Sequence, residues 1–214
     1  MKASWFESFG PAVETLIIGE QPPPVVGSGE VLVRLKTTGV NPSDVKKRAG
    51  AFPALLTNGF IIPHSDGAGE VVAVGEGVDE SRIGERVFVY QAQYGRRFGT
   101  AAEYVALDSR RAPLLPANTS FAIGSCIGIP VLTAHRSVFA DGSVAGKTVV
   151  VTGGAGRVGY YAIQWAKYSN ATVIATVSNQ ADELVCRAAG ADHVVNHREE
   201  NWGERWMSRK LSLS

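Results

Sequence analysis

Along the first half of the chain, hydrophobic and polar residues alternate, and the alternation predicts short strands. In residues 30–38, Val31, Val33 and Leu35 share one face while Arg34 and Lys36 take the other. Residues 70–74, 85–90 and 102–107 are further short strands bounded by Gly or Asp. Pro22, Pro23 and Pro24, followed by Gly27 and Gly29, mark a loop. Residues 42–48 are the helical stretch of this half, with Asn41 as cap, Pro42 in the first turn and Gly50 beyond the end. Strands this short and this closely spaced predict a small barrel or sandwich.

After about residue 120 the period changes. Residues 149–151 form a continuous Val run, the pattern of a parallel strand buried on both faces. Glycine-rich sequence follows, then Val158, Tyr161, Ala162, Trp165 and Ala166 at helical spacing. Residues 172–176 read as a second strand, 182–189 as a helix ended by Gly190, 193–195 as a third strand and 199–209 as a further helix. The β-α-β-α-β alternation implies a parallel sheet with right-handed crossovers.

Chemistry concentrates where the first of these strands meets its helix. Gly154, Gly156 and Gly159 form G-x-G-x-x-G between them. In a dinucleotide fingerprint the first glycine permits a tight turn. The second lets backbone approach a pyrophosphate, and the third lets helix and strand pack closely. The anion then meets unpaired amides and the positive end of the helix dipole. An NAD-type site carries Asp or Glu at the end of the second strand. Here that end reads Ser178-Asn179-Gln180, a small polar terminus that tolerates a 2′-phosphate and favours NADP. Ser178 and Asn179 also read as simple turn residues.

Composition narrows the class. The 214 residues carry 21 Lys and Arg against 20 Asp and Glu, a net charge of +1, so no basic excess argues for nucleic acid or anionic membrane. At 45% hydrophobic and 19% charged the sequence is that of a globular protein. Cys126 and Cys186 stand alone, with no CxxC and no Cys-His pair at metal spacing, so no metal is expected and a reducing compartment is. The start lacks the basic-then-apolar pattern of a secretory signal, and the apolar stretch 121–134 is too short to span a bilayer. The expected location is cytoplasmic.

With these motifs placed, the chain resembles the zeta-crystallin-like NADPH:quinone oxidoreductases, the zinc-free branch of the medium-chain dehydrogenase/reductase superfamily. The resemblance runs over residues 1–205. It is carried by Gly39-Val-Asn41-Pro42-Ser-Asp44, by residues 65–75 (SDGAGEVVAVG), by 84–87 (GERV), by 130–134 (PVLTA), and by 190–199 (GADHVVNHRE). Gln164 and Lys167 behind the glycine loop complete the pattern, and Arg157 departs from it, since most relatives have Gly there. The implied fold is a GroES-like β-barrel domain, residues 1–122, followed by the first three strands of a doubly wound Rossmann sheet, residues 123–214. Zinc-dependent cousins place a Cys and a His-Glu pair at their metal; Asn41 and Ser65-Asp66 stand at those positions here. His64, one position away, reads as a loop histidine.

What the resemblance implies about function is hydride transfer from NADPH to a quinone or related α,β-unsaturated carbonyl, with cofactor in the cleft between the domains. Asn41, Phe52 and Thr133 would serve the nicotinamide end, and Gly154, Ala155, Gly156, Arg157, Val158 and Gly159 the pyrophosphate. Ser178 and His197 would lie near the 2′-phosphate. Phe52 and Thr133 read equally as core packing, and His197 as a surface loop residue. Asp182 sits where some relatives have Lys, and a carboxylate repels a phosphate. No catalytic nucleophile–base pair is found, and none is needed, because the product oxygens take protons from solvent. Family members are longer, so the resemblance implies a chain lacking the later Rossmann strands and the return strands of the barrel domain. The strand at 148–152 would then be an exposed apolar edge, predicting poor solubility or obligate homo-association. The alternative is a non-catalytic NADPH-binding or interaction protein derived from the family. An RNA-binding role finds no basic tract to support it.

Overall fold

The computed structural model describes residues 1–199 together with Asn201 and Gly203. Most of the helix expected over residues 199–209, and the tail 210–214, lie outside the described residues. Backbone packing divides the chain into two units, Met1–Ile129 and Pro130–Ser214. Sequence expectation put the division at 122/123. The short helix Phe121–Gly124 stays with the first unit because Thr37 Oγ1 donates to the Phe121 carbonyl (2.7 Å) and the Arg86 guanidinium lies 4.6 Å over the Phe121 ring.

The first unit opens with a hairpin that the alternation had not signalled: β1 (Lys2–Phe6) and β2 (Leu16–Glu20) pair antiparallel, joined through α1 (Ala12–Thr15). There follow β3 (Glu30–Gly39), α2 (Pro42–Arg48), β4 (Asp66–Val74), β5 (Arg86–Val89), β6 (Tyr104–Asp108) and α3 (Phe121–Gly124). Strands β5-β4-β3-β6 form one antiparallel sheet, and bridges Ala3↔Ala102 and Phe6↔Ile61 tie the hairpin into the same unit. Alternation resolves as expected: Val31 and Val33 are fully buried with Val71, Val87, Val89, Val105 and Leu107, while Arg34 reaches out to Glu70 (2.7 Å). Each such buried aliphatic side chain contributes about 1.5–3 kcal/mol. Register shifts at Leu32/Val33 and Leu35/Thr37 bend β3, after which Gly39 stands opposite Asp66. That register delivers Asn41, two residues on, to Asp66.

The second unit takes in most of α4 (Gly128–Phe139). It continues with β7 (Thr148–Val151), α5 (Arg157–Tyr168), β8 (Thr172–Val177), α6 (Gln180–Ala188) and β9 (His193–Asn196). The three strands are parallel in the order β7-β8-β9, as the β-α-β-α-β reading required. Two details depart from expectation. The buried stripe of α5 is Gly159, Ala162, Ile163 and Ala166, and Val158 is exposed, because the small residues let the helix lie close on the sheet. In β7 only Val151 is buried and Val150 is 56% exposed; among the described residues β7 pairs with β8 alone and forms an edge.

Candidate functional site

Between β7 and α5 the chain turns on Gly153, whose φ of +62° is left-handed. The tight turn therefore belongs to the glycine before the G-x-G-x-x-G motif. Gly154 is packed instead: a Cβ there would come within 2.7 Å of Cys186 Sγ and 2.8 Å of Ala175 Cβ. A Cβ on Gly159 would meet the Gly153 carbonyl at 2.4 Å, so the first turn of α5 is pressed onto the loop. Gly156, the N-cap, is exposed, with the Gly153 carbonyl at 3.2 Å from a built Cβ. Thr176 on β8 latches the turn, accepting from Gly153 N at Oγ1 (3.1 Å) and from Gly154 N at its carbonyl (3.0 Å). The result is an exposed helix start with orphan amides and an exposed Arg157 at the first helical position, the geometry that receives an anion. Burial pushes the Cys186 thiol up, so it packs rather than reacts.

Beyond β8, Ser178 Oγ lies 3.4 Å from Asp182 Oδ2, which also accepts from Asn179 Nδ2 (2.9 Å). Asn179 Oδ1 accepts from the Asp182 amide (2.9 Å), capping α6. The exposed His197 arrives beside this point because its amide donates to the Val177 carbonyl (2.9 Å). Ser178 and His197 are thus brought together, at the end of the strand whose Thr176 holds the glycine turn. Lys167 and Asp192 prove to be a clamp: Lys167 Nζ bonds both Asp192 oxygens (2.8 and 2.9 Å), and Asp192 Oδ2 accepts from Val173 N (2.6 Å).

In the first unit, Asn41 is buried, and its Nδ2 donates to Asp66 Oδ2 (2.8 Å). Its amide donates to Asp44 Oδ2 (2.8 Å), closing the start of α2. Ile129 N also donates to Asp66 Oδ2 (2.8 Å). Burial pushes the Asp66 carboxyl up to about 6, against the Ile129 and Asn41 donors that favour its ionised form. Lys47 bonds Gln93 Oε1, and burial draws its ammonium down from the ordinary lysine value. One Oδ1 atom of Asp44 and one of Asp66 are buried without a partner. His64 has a left-handed φ of 73° and shares a hydroxyl network: Thr38 Oγ1 lies 3.0 Å from His64 Nδ1 and 2.7 Å from Thr100 Oγ1. Burial lowers the His64 imidazole. Among the described residues no group of three or more His, Cys, Asp and Glu is arranged to hold a metal.

Phe52 stands 53% exposed at the entry to the 3₁₀ turn Pro53–Asn58, and Thr133 lies on an exposed side of α4. Sequence reasoning missed Thr176, Lys47 and Gln93. Only Asp44 left a local trace, as the acidic third residue after an Asn cap.

The architecture is a small antiparallel β unit followed by a parallel β-α-β unit with a glycine turn of the dinucleotide-binding kind. Residues 27–119 match the alcohol dehydrogenase GroES-like domain. The NADPH-dependent alkenal/one oxidoreductase of Arabidopsis thaliana, a chloroplastic protein, is 34% identical over 184 residues, 83% of this chain and 47% of its own length. The crystal structure of Escherichia coli quinone oxidoreductase complexed with NADPH superposes with TM-score 0.81 at 26% identity, over 98% of this chain and 62% of that one. An NAD-dependent alcohol dehydrogenase superposes with TM-score 0.87 at 32% identity, over 99% and 67%. The chain belongs to the medium-chain dehydrogenase/reductase superfamily, and quinone oxidoreductases are among the proteins it is similar to. It spans about half the length of that Arabidopsis relative and about two thirds of those solved structures.

Proposed function

We propose that this chain is an oxidoreductase unit that transfers a hydride from NADPH to a quinone or a related α,β-unsaturated carbonyl, without zinc. The observation that carries the reading is the glycine turn, held by Thr176 and closed by Gly159 so that the start of α5 stays open to an anion. The substrate class comes from the relatives named for quinones and alkenals.

NADPH, when bound, supplies the hydride. Residues 123–214 take its nucleotide end: Gly154, Gly156 and Gly159 give the turn its room, Ala155 and Val158 are assigned to the pyrophosphate, and Arg157 adds a cation. Ser178 and His197 are assigned to the 2′-phosphate. Residues 1–122 take the reacting end, with Asn41 and Phe52 assigned to the nicotinamide; Thr133 of α4 is assigned to the same end of the cofactor. The Asp66 bond fixes the Asn41 carboxamide before any ligand arrives. That carboxamide, standing where zinc-dependent cousins have a thiolate, supports zinc independence. Quinone oxygens take their protons from solvent, so no general acid is required.

No helix among the described residues is long and apolar enough to cross a membrane. The two free cysteines support the cytoplasm as location, and the net charge of +1 offers nothing to a nucleic acid. The edge of β7, which pairs with β8 alone among the described residues, supports a homo-oligomer. The second reading is a non-catalytic NADPH-binding or interaction protein. NADPH fluorescence separates the two. Loss of emission on adding a quinone or an enone, at catalytic protein concentration, supports the enzyme; binding without oxidation supports the second reading.

A further inference from the structure

We propose that Asp182 sets the nucleotide selectivity of this chain: it accepts an unphosphorylated adenosine ribose and opposes the 2′-phosphate, so NADH competes with NADPH for one site. The inference rests on the nucleotide reading above and adds what the ribose end selects. Its ground is the fixed position of the carboxylate. Asp182 Oδ2 is held by Asn179 Nδ2 (2.9 Å) and lies 3.4 Å from Ser178 Oγ, the hydroxyl assigned to the phosphate. A 2′-phosphate bonding Ser178 would displace that contact and stand beside a like charge.

Two of the cations nearest in sequence on α5 and α6 are already paired with other acids. The Asp182 amide, which an anion at the start of α6 would otherwise use, already donates to Asn179 Oδ1 (2.9 Å). From α6, Glu183 adds a second acid in the first turn, and Arg187 is committed to it (2.6 Å). From α5, Lys167 is committed to Asp192 (2.8 Å). The loop after β9 offers His197 and Arg198, both exposed, and the glycine turn offers Arg157. A phosphate carries about −1.5 to −2 charges at neutral pH and so feels Asp182 strongly. A ribose diol feels it as a hydrogen-bond acceptor, the part an acidic residue plays in NAD sites.

The test is a fluorescence titration of the whole chain with NADPH and, separately, with NADH. Asp182→Asn keeps the size and shape, and Asp182→Ser serves as a second variant should the first fold poorly. The native chain is expected to bind the two nucleotides within about tenfold of each other. Asp182→Asn is expected to tighten NADPH by about tenfold while weakening NADH, moving the ratio of the two constants by more than that factor. Equal changes for both nucleotides, or none, would overturn the role of Asp182 while leaving the site intact. Failure of the native chain to bind either nucleotide would overturn the nucleotide reading itself, and this inference with it.

Discussion

The glycine turn of the second unit and the Asn41–Asp66 cluster of the first solve the problem of a polar site in opposite ways. The turn is built from backbone: Gly153, Gly154, Gly156 and Gly159 lie within seven residues, and their missing side chains create the space. The cluster is built from side chains drawn together from α2, β4 and the loop at Gln93, and it works by burial. A backbone site has little to titrate and tolerates no added atoms. A buried side-chain site tolerates isosteric change and answers to pH. The two should therefore break under different insults.

Steric insult should fall hardest on the turn. Gly159→Ala places a Cβ 2.4 Å from the Gly153 carbonyl oxygen and 2.9 Å from Gly154 Cα, so backbone must shift, and should cost about 3 kcal/mol in urea unfolding and abolish NADPH binding. A variant that bound NADPH normally would show that α5 does not need its close approach.

Acid should act on the cluster. Asp66 is raised from 3.8 to about 6 in the fold, so the folded chain holds this proton more tightly than the unfolded chain does. Its stabilisation is complete below pH 3.8 and is lost as pH rises through about 6, a change of about 3 kcal/mol. Denaturant unfolding between pH 4 and 7 should show that slope in the native chain and lose it in Asp66→Asn. An unchanged slope in the variant would place the titration elsewhere.

Two smaller effects sharpen the contrast. Thr176→Val keeps the shape of β8 but removes the acceptor for Gly153 N, and should cost about 1 kcal/mol with weaker NADPH binding. Lys167→Met cuts the clamp to Asp192, both side chains about one-third exposed, and should cost about 0.5 kcal/mol without changing nucleotide affinity. If Lys167→Met weakened binding as much as Thr176→Val, the distinction between latch and clamp would fail.

The same contrast explains what could be read in advance. The glycine turn, β3, α2 and the order of the parallel strands rest on local rules: missing side chains, period-two alternation, an Asn cap. All were legible. Even there, the tight turn fell to Gly153 rather than Gly154, because only the three-dimensional path shows which glycine carries the positive φ. Gln93 and Lys47 meet across 46 residues through the folding of the sheet, and no window of sequence contains both. The hairpin β1–β2 escaped notice because β2, Leu16–Glu20, carries exposed Leu16, Ile17 and Ile18 in succession and shows no alternation. Val150 departed from the buried-strand pattern because burial on both faces needs neighbours that β7 lacks among the described residues.

The central claim is that the turn between β7 and α5 receives the pyrophosphate of NADPH. Calorimetric titration of the whole chain and of Gly156→Leu tests it most directly, since Gly156 is exposed and its substitution should spare the core. Saturable binding of one NADPH per chain, lost in the variant while its thermal melt is retained, is the predicted result. Equal NADPH affinity in both proteins, or no binding by the native chain, would contradict it.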